Sequence, residues 1–276
     1  MIPSFVLFPL AFCAVCFPCA RIGELRILPW LVLYVLATGL ALAAGAVTSV
    51  GLFALAALLG LAWQAHRTSG PSRLALILMF AALSVALSVQ AVPGVGKVTT
   101  PISSFNVGKV SAGLLLFALL VPRVSCVADV QRLWKPTLAI GVVGTMVTVG
   151  AAVTMGYVRF EPKVPPGTLV RLVSNLLFAC IAEESFFRGL LQEEMHRAAE
   201  RSRRSGLHAV AVAVSAALFG AAHAHGGPHY VLLATMGGLT NALAYAKARK
   251  VEASVSTHFM LNAVHFVFFT NPMGAR

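Results

Sequence analysis

Two adjacent carboxylates, Glu183 and Glu184, occur within an apolar stretch, and Arg188 follows four residues after the second. Further on, Phe219 and His223 are spaced by four residues, and so are His258 and Asn262. On a helix, that spacing puts both members of a pair on one face. These residue types have a definite chemical use. A carboxylate held away from bulk water is a proton acceptor, and an imidazole can share the task, so Glu183 with His223 suits activation of a water molecule. His258 and Asn262 can donate hydrogen bonds to a developing oxyanion, one such donor contributing about 3 kcal/mol. The implied reaction is hydrolysis of an amide. No serine–lysine dyad or cysteine beside a base offers a nucleophile in its place.

The elements that must position these groups are membrane spans. The chain has 276 residues, of which 58% are hydrophobic and 11% charged. An ordinary soluble domain carries about 25% charged residues, and a globular surface cannot hide so much apolar area. Apolar runs between polar breaks fall at about 3–20, 28–45, 47–65, 74–92, 107–121, 136–158, 168–190, 208–224, 230–247 and 254–270. Since a span needs roughly 17–25 apolar residues, the expected fold is an all-α polytopic transmembrane bundle of 8–10 spans, the fifth being short.

Charge gives the topology. With the N-terminus outside, 14 basic residues fall in inner loops, from Arg21 to Lys250, against six on the outer side. This obeys the positive-inside rule. The net charge of +12 is thereby explained by topology and anionic lipid, and no nucleic-acid partner is expected. A start at Met1-Ile-Pro without a basic region argues against a cleaved signal peptide. Seven of the nine acidic residues lie in loops or at interfaces, leaving Glu183 and Glu184 alone within a span. A carboxylate at that depth is costly unless it is paired or neutralised. Glu184 shares a face with Arg188 and is expected to form a bidentate pair with it. Glu183, about 100° around the helix, is left for chemistry.

Other candidate clusters are weaker. Cys13, Cys16 and Cys19 have metal-ligand spacing but lie in an apolar segment without charged neighbours, where thiols are expected as small core residues. His223, His225 and His229 form a histidine-rich turn, yet a helical HExxH is absent, and neither metal nor cofactor is expected. Residues 192–206 are expected to be a polar, partly helical inner loop with a solvated face. The segment Phe105-Asn106 to Lys109 opens the fifth span at the interface.

Glu183-Glu184-Ser-Phe-Phe-Arg188 is an EExxxR motif, Phe219-Gly-Ala-Ala-His223 is FxxxH, and His258-Phe-Met-Leu-Asn262 is HxxxN. In this order, on separate spans, they resemble the CPBP family of intramembrane glutamic endopeptidases. That family includes CAAX endopeptidases of the Ras-converting type and bacteriocin-processing or immunity proteins. The resemblance covers about 168–270 and no motif position departs from it. It implies water activation by Glu183 and His223, an oxyanion hole of His258 and Asn262, and supporting roles for Glu184, Arg188 and Phe219.

The chain is therefore expected to comprise a motif-free transmembrane region over 1–165 and a catalytic domain over 166–272. Its substrate would be a membrane-anchored peptide or protein, lipidated in the CAAX manner or otherwise, and its setting a prokaryotic plasma membrane. Three rivals use the same residues: a non-catalytic immunity or binding protein, a zinc-dependent membrane protease, and a proton-coupled transporter. A transporter would show internal repeats, and the sequence has none.

Overall fold

The computed structural model describes residues 2–16, 20–22 and 25–270, and it is an all-α bundle with three small two-stranded sheets. Helices stand at all ten apolar runs. They are α1 (Ile2–Ala14), α2 (Pro29–Ala43), α3 (Ser49–Arg67), α4 (Gly70–Ser88), α5 (Val107–Leu119), α6 (Val127–Thr154), the helical stretch from Thr168 to Ser202 with α7 (Thr168–Ser174), α8 (Ile181–Glu184) and α9 (Glu193–Ser202), then α10 (Gly206–Ala221), α11 (Gly227–Ala248) and α12 (Val251–Phe268). Among the described residues, α3, α4 and α6 are each long and apolar enough to cross a membrane. The chain from Gly206 to Ala248 passes the same test as a pair bent by 53° at the break after α10. The chain is an integral membrane protein. Large apolar side chains such as Phe53, Leu78 and Val143 are exposed along these helices, as a lipid solvent requires.

The chain divides into two compact units, Met1–Leu120 with Leu169–Ala182, and Val121–Thr168 with Glu183–Arg276. The first unit packs α1, α2, α3, α4 and α5 around an aromatic cluster in which Phe105 lies 4.3 Å from Phe178 and 5.4 Å from Phe8. Strands β3 (Lys97–Thr99) and β4 (Ser104–Asn106) pair antiparallel just before α5. Asn106 caps α5, its side chain accepting from the Lys109 N–H at 2.9 Å and donating to the Ser88 carbonyl at 3.1 Å. This capping is the structural use of the segment that opens the fifth run.

The three-cysteine spacing has a different outcome from the one expected. Cys13 and Cys16 are exposed rather than core residues. Helical spacing carries Cys13 to the outward face of α1, while Phe8, Ala11 and Phe12 take the inward one, and Cys16 lies in the turn that follows the helix. Cys19, Glu24 and the end of the expected catalytic domain at 272 lie outside the described residues.

The second unit holds every expected catalytic residue. Here α6 packs on α11 and α12, and α10 packs on α11. Small residues permit the approach, since bilayer helices associate by packing rather than by excluding water. Gly144 meets Thr240, Gly220 meets Thr235, and a Cβ on Gly238 would stand 3.0 Å from the Phe219 ring. Strands β5 (Arg159–Phe160) and β6 (Phe269–Thr270) pair antiparallel, tying the chain after α6 to the end of α12.

Residues 192–206 are partly helical as expected and exposed over 200–206, but the face that carries Glu193 and His196 is not solvated. Within them α9 (Glu193–Ser202) buries His196, which is 2% exposed, and Glu193, which is 5% exposed. Partners from α11 make this possible. Glu193 accepts from Tyr245 Oη at 2.8 Å, from Arg249 Nε and Nη2 at 2.9 Å each, and from Arg197 at 3.0 Å. Arg249 also reaches Glu200 at 2.7 Å. Arg249 ends α11 with φ +51, a left-handed conformation that glycine tolerates better. Arg249→Ala is expected to destabilise the protein by on the order of 1–3 kcal/mol, and Arg249→Gly by about 1 kcal/mol less, because only the alanine keeps the backbone strain. Thermal unfolding in detergent checks both, and equal stability of Arg249→Ala and wild type would remove the clamp.

The same region predicts acid sensitivity. Burial raises the Glu193 carboxyl, and the bonds from Arg249 and Tyr245 more than reverse this, leaving it below its ordinary value. Burial lowers His196 below its ordinary 6.5, with the cationic Arg249 adding to the effect. Both groups bind protons more weakly folded than unfolded, so stability falls as pH falls. The expected thermal stability declines below about pH 6.5 as His196 is forced to protonate, and further as Glu193 is neutralised at lower pH. A flat melting temperature through that window would contradict it.

Candidate active site

The helical stretch that carries the glutamates is not regular. Residues Asn175–Cys180 and Ser185–Gln192 are π-helical, and only Ile181–Glu184 between them is α-helical. Hydrogen bonding at i, i+5 widens each flanking turn. Cys180 Sγ reaches Asn175 Oδ1, five residues back, at 3.3 Å. Such segments are frequent at functional sites. Apolar periodicity does not reveal them.

Glu184 and Arg188 are both wholly buried. One arm of the guanidinium, Nη1, donates to Glu184 Oε1 at 3.0 Å, and the other, Nη2, donates to the Gly238 carbonyl at 2.7 Å. The expected bidentate pair is therefore monodentate, because the second arm is drawn to a backbone acceptor on α11. Glu184 does more than balance Arg188. The same oxygen accepts from Asn241 Nδ2 at 3.1 Å and from His258 Nδ1 at 2.8 Å. One carboxylate oxygen thus joins its own helix to α11 and α12.

Phe219 fills the centre of the cluster. Its ring lies 4.5 Å from the Arg188 guanidinium carbon, a cation–π contact that helps a buried charge. It meets His258 edge-on at 5.5 Å and lies 4.7 Å from the His223 ring. Gly238 leaves it room. The four-residue spacing of Phe219 and His223 has a second consequence: His223 Nδ1 is 2.8 Å from the Phe219 carbonyl. A carbonyl only accepts, so Nδ1 carries the hydrogen and the neutral ring keeps its lone pair on Nε2. His223 lies just past the end of α10, where Gly227 turns the chain at φ +83 into α11.

Glu183 is half-buried and acts electrostatically on both Arg188 and Tyr230. Tyr230 also packs edge-on against His223 at 5.4 Å and stacks on Tyr157 at 6.2 Å. Glu183 and His223 therefore share a neighbour. Asn262 is half-buried, one turn beyond His258 on α12. The second unit thus brings Glu184, Arg188, Phe219, His223 and His258 into one connected cluster. His225 and His229 are exposed. Among the described residues, no group of three or more His, Cys, Asp or Glu side chains is arranged to hold a metal ion.

Three further polar residues belong to this cluster and were not singled out from the sequence. Asn241 is buried and binds Glu184, Thr257 binds Asn241 at 2.9 Å, and Tyr230 lines the Glu183–His223 side. Asn241 carried a readable signal, an amide in an apolar run where polar groups are costly. Thr257 and Tyr230 carried none, since both types are common at helix ends and membrane interfaces.

Residues 165–264 match the family model for Rce1-like type II CAAX prenyl endopeptidases. No curated protein and no solved structure matches the chain.

Proposed function

We propose, from the match of residues 165–264 to the Rce1-like type II CAAX prenyl endopeptidases, that the chain is an intramembrane protease which cleaves its substrate with a glutamate-activated water. The observation that carries the reading is the hydrogen bonding of His223. Its Nδ1 is committed to the Phe219 carbonyl, which leaves Nε2 as the basic atom, and its ring shares Tyr230 with Glu183. Glu183 and His223 then take the proton as the water oxygen bonds to the carbonyl carbon. The same proton is delivered to the departing amine as the C–N bond breaks. Two groups that trade one proton in this way need no covalent intermediate.

His258 and Asn262 are assigned to the oxyanion. His258 Nδ1 donates to Glu184, so Nε2 can also donate only when the ring carries both hydrogens. Phe219, Glu184 and Arg188 hold the arrangement. The catalytic domain is assigned to 166–272, and the region before it to bilayer packing.

The family implies a membrane-associated peptide or protein as substrate. We assign a membrane-anchored or lipidated tail, presented at the depth of Glu183 in a prokaryotic plasma membrane. A comparison of membrane proteomes from wild-type and Glu183→Ala cells tests this. One precursor is expected to accumulate with an uncleaved terminus in the variant, and identical termini across both proteomes would defeat the reading.

A further inference from the structure

The hydrogen bonds behind Glu184 form a chain with only one consistent direction. Thr257 Oγ1 donates to Asn241 Oδ1 at 2.9 Å and lies 3.0 Å from the Ser254 carbonyl. Because Glu184 only accepts, the Asn241 amide must turn Nδ2 towards Glu184 Oε1, at 3.1 Å, which leaves its oxygen to the Thr257 hydroxyl. Glu184 Oε1 then accepts from Asn241, from Arg188 and from His258 Nδ1. Asn241 is 1% exposed and Thr257 is 1% exposed, so water does not compete for these bonds. Reversing the amide would set its oxygen against the carboxylate.

We propose that Asn241 and Thr257 are positioning residues, which fix the Glu184 carboxylate against His258 and thereby hold the hydrogen of His258 on Nδ1. They act through Glu184 and touch neither the proposed oxyanion nor the proposed water. Glu184 sets the direction, because a carboxylate only accepts, and Thr257 holds the far end of the amide. Removing its hydroxyl loosens the amide, weakens the hold on Glu184 and frees His258 from its anchor, so that its hydrogen can move to Nε2 and its ring can turn away from the proposed oxyanion. The catalytic consequence rests on the peptidase reading above, whereas the tautomer does not.

The test is nitrogen NMR of the full chain carrying isotope-labelled histidine in lipid nanodiscs, with His258 assigned by its loss in His258→Gln. Wild type is expected to show His258 protonated at Nδ1. Thr257→Val is expected to shift the His258 tautomer ratio towards Nε2–H by about tenfold, the equivalent of one charge-assisted hydrogen bond. Thr257→Ser, which keeps the hydroxyl, should retain the wild-type signal. Asn241→Ala carries the same test if Thr257→Val does not accumulate. On a cleaved substrate, Thr257→Val should lower kcat about tenfold with KM little changed. A bare Nδ1 in wild type, or a tautomer ratio unmoved by Thr257→Val or Asn241→Ala, overturns the proposal. A wild-type chain that cleaves nothing defeats the peptidase reading instead, and the NMR result still decides the positioning role.

Discussion

Glu183→Gln is expected to lower kcat by about 10²–10⁴-fold while the protein inserts and folds normally. Glutamine keeps the volume and the polarity of the side chain and removes only its capacity to accept a proton. Glu183 is half-buried, so an amide at that position can remain hydrated or hydrogen-bonded without unfolding the helix. His223→Gln should produce a loss of similar size, since the proposed mechanism makes its Nε2 the other end of the same proton path. Groups that act as one unit are not additive. The double variant is therefore expected to be no slower than the slower single variant. Steady-state cleavage of the precursor found by proteomics measures all three. Activity within a fewfold of wild type in Glu183→Gln would exclude Glu183 as the base, and additive losses would separate the two residues into independent roles.

The second large effect falls on stability. Glu184→Ala removes the one oxygen on which Arg188, Asn241 and His258 converge, and Arg188 is then a wholly buried cation without its paired carboxylate, left with the Gly238 carbonyl, the Phe187 and Phe219 rings and the more distant charge of Glu183. Breaking a buried pair by deleting one partner costs about 3–5 kcal/mol. The expected result is a much reduced yield of folded protein and a large fall in melting temperature. A charge-free pair, Glu184→Leu with Arg188→Leu, should be less damaging to stability than Glu184→Ala alone, because no isolated charge remains. It should still be inactive, as His258 has lost its acceptor. Normal yield and melting temperature in Glu184→Ala would show that the pair does not hold the fold.

Much of this site was legible in the sequence because membrane insertion makes polar residues conspicuous. Glu183 and Glu184 stand out against an apolar run, and the four-residue spacings of Phe219 with His223 and His258 with Asn262 survive as shared faces on α10 and α12. The ten apolar runs likewise became helices, since a bilayer requires every backbone group to be paired within its own segment. The direction in which each side chain's bonds run was not legible. Glu184 pairs with Arg188 as the spacing implied, but with one arm, and its tie to His258 spans 74 residues of sequence. The burial of Glu193 and His196 in α9 was hidden for the same reason, as Tyr245 and Arg249, which bind Glu193, and Tyr245, which stacks on His196, belong to a distant part of the sequence.

By itself, the amino-acid sequence determined that the chain is a helical membrane protein and which polar residues stand out on its apolar helices as candidates for chemistry. Both follow from local quantities, the apolar content of a run and the spacing of polar groups along it. Only the tertiary structure decided that one oxygen of Glu184 serves three donors, that the flanking turns are π-helical, and that Thr257 and Asn241 stand behind the site. Those facts depend on which helices meet and at what register, and a carboxylate buried among several helices takes whichever donors their packing brings within reach.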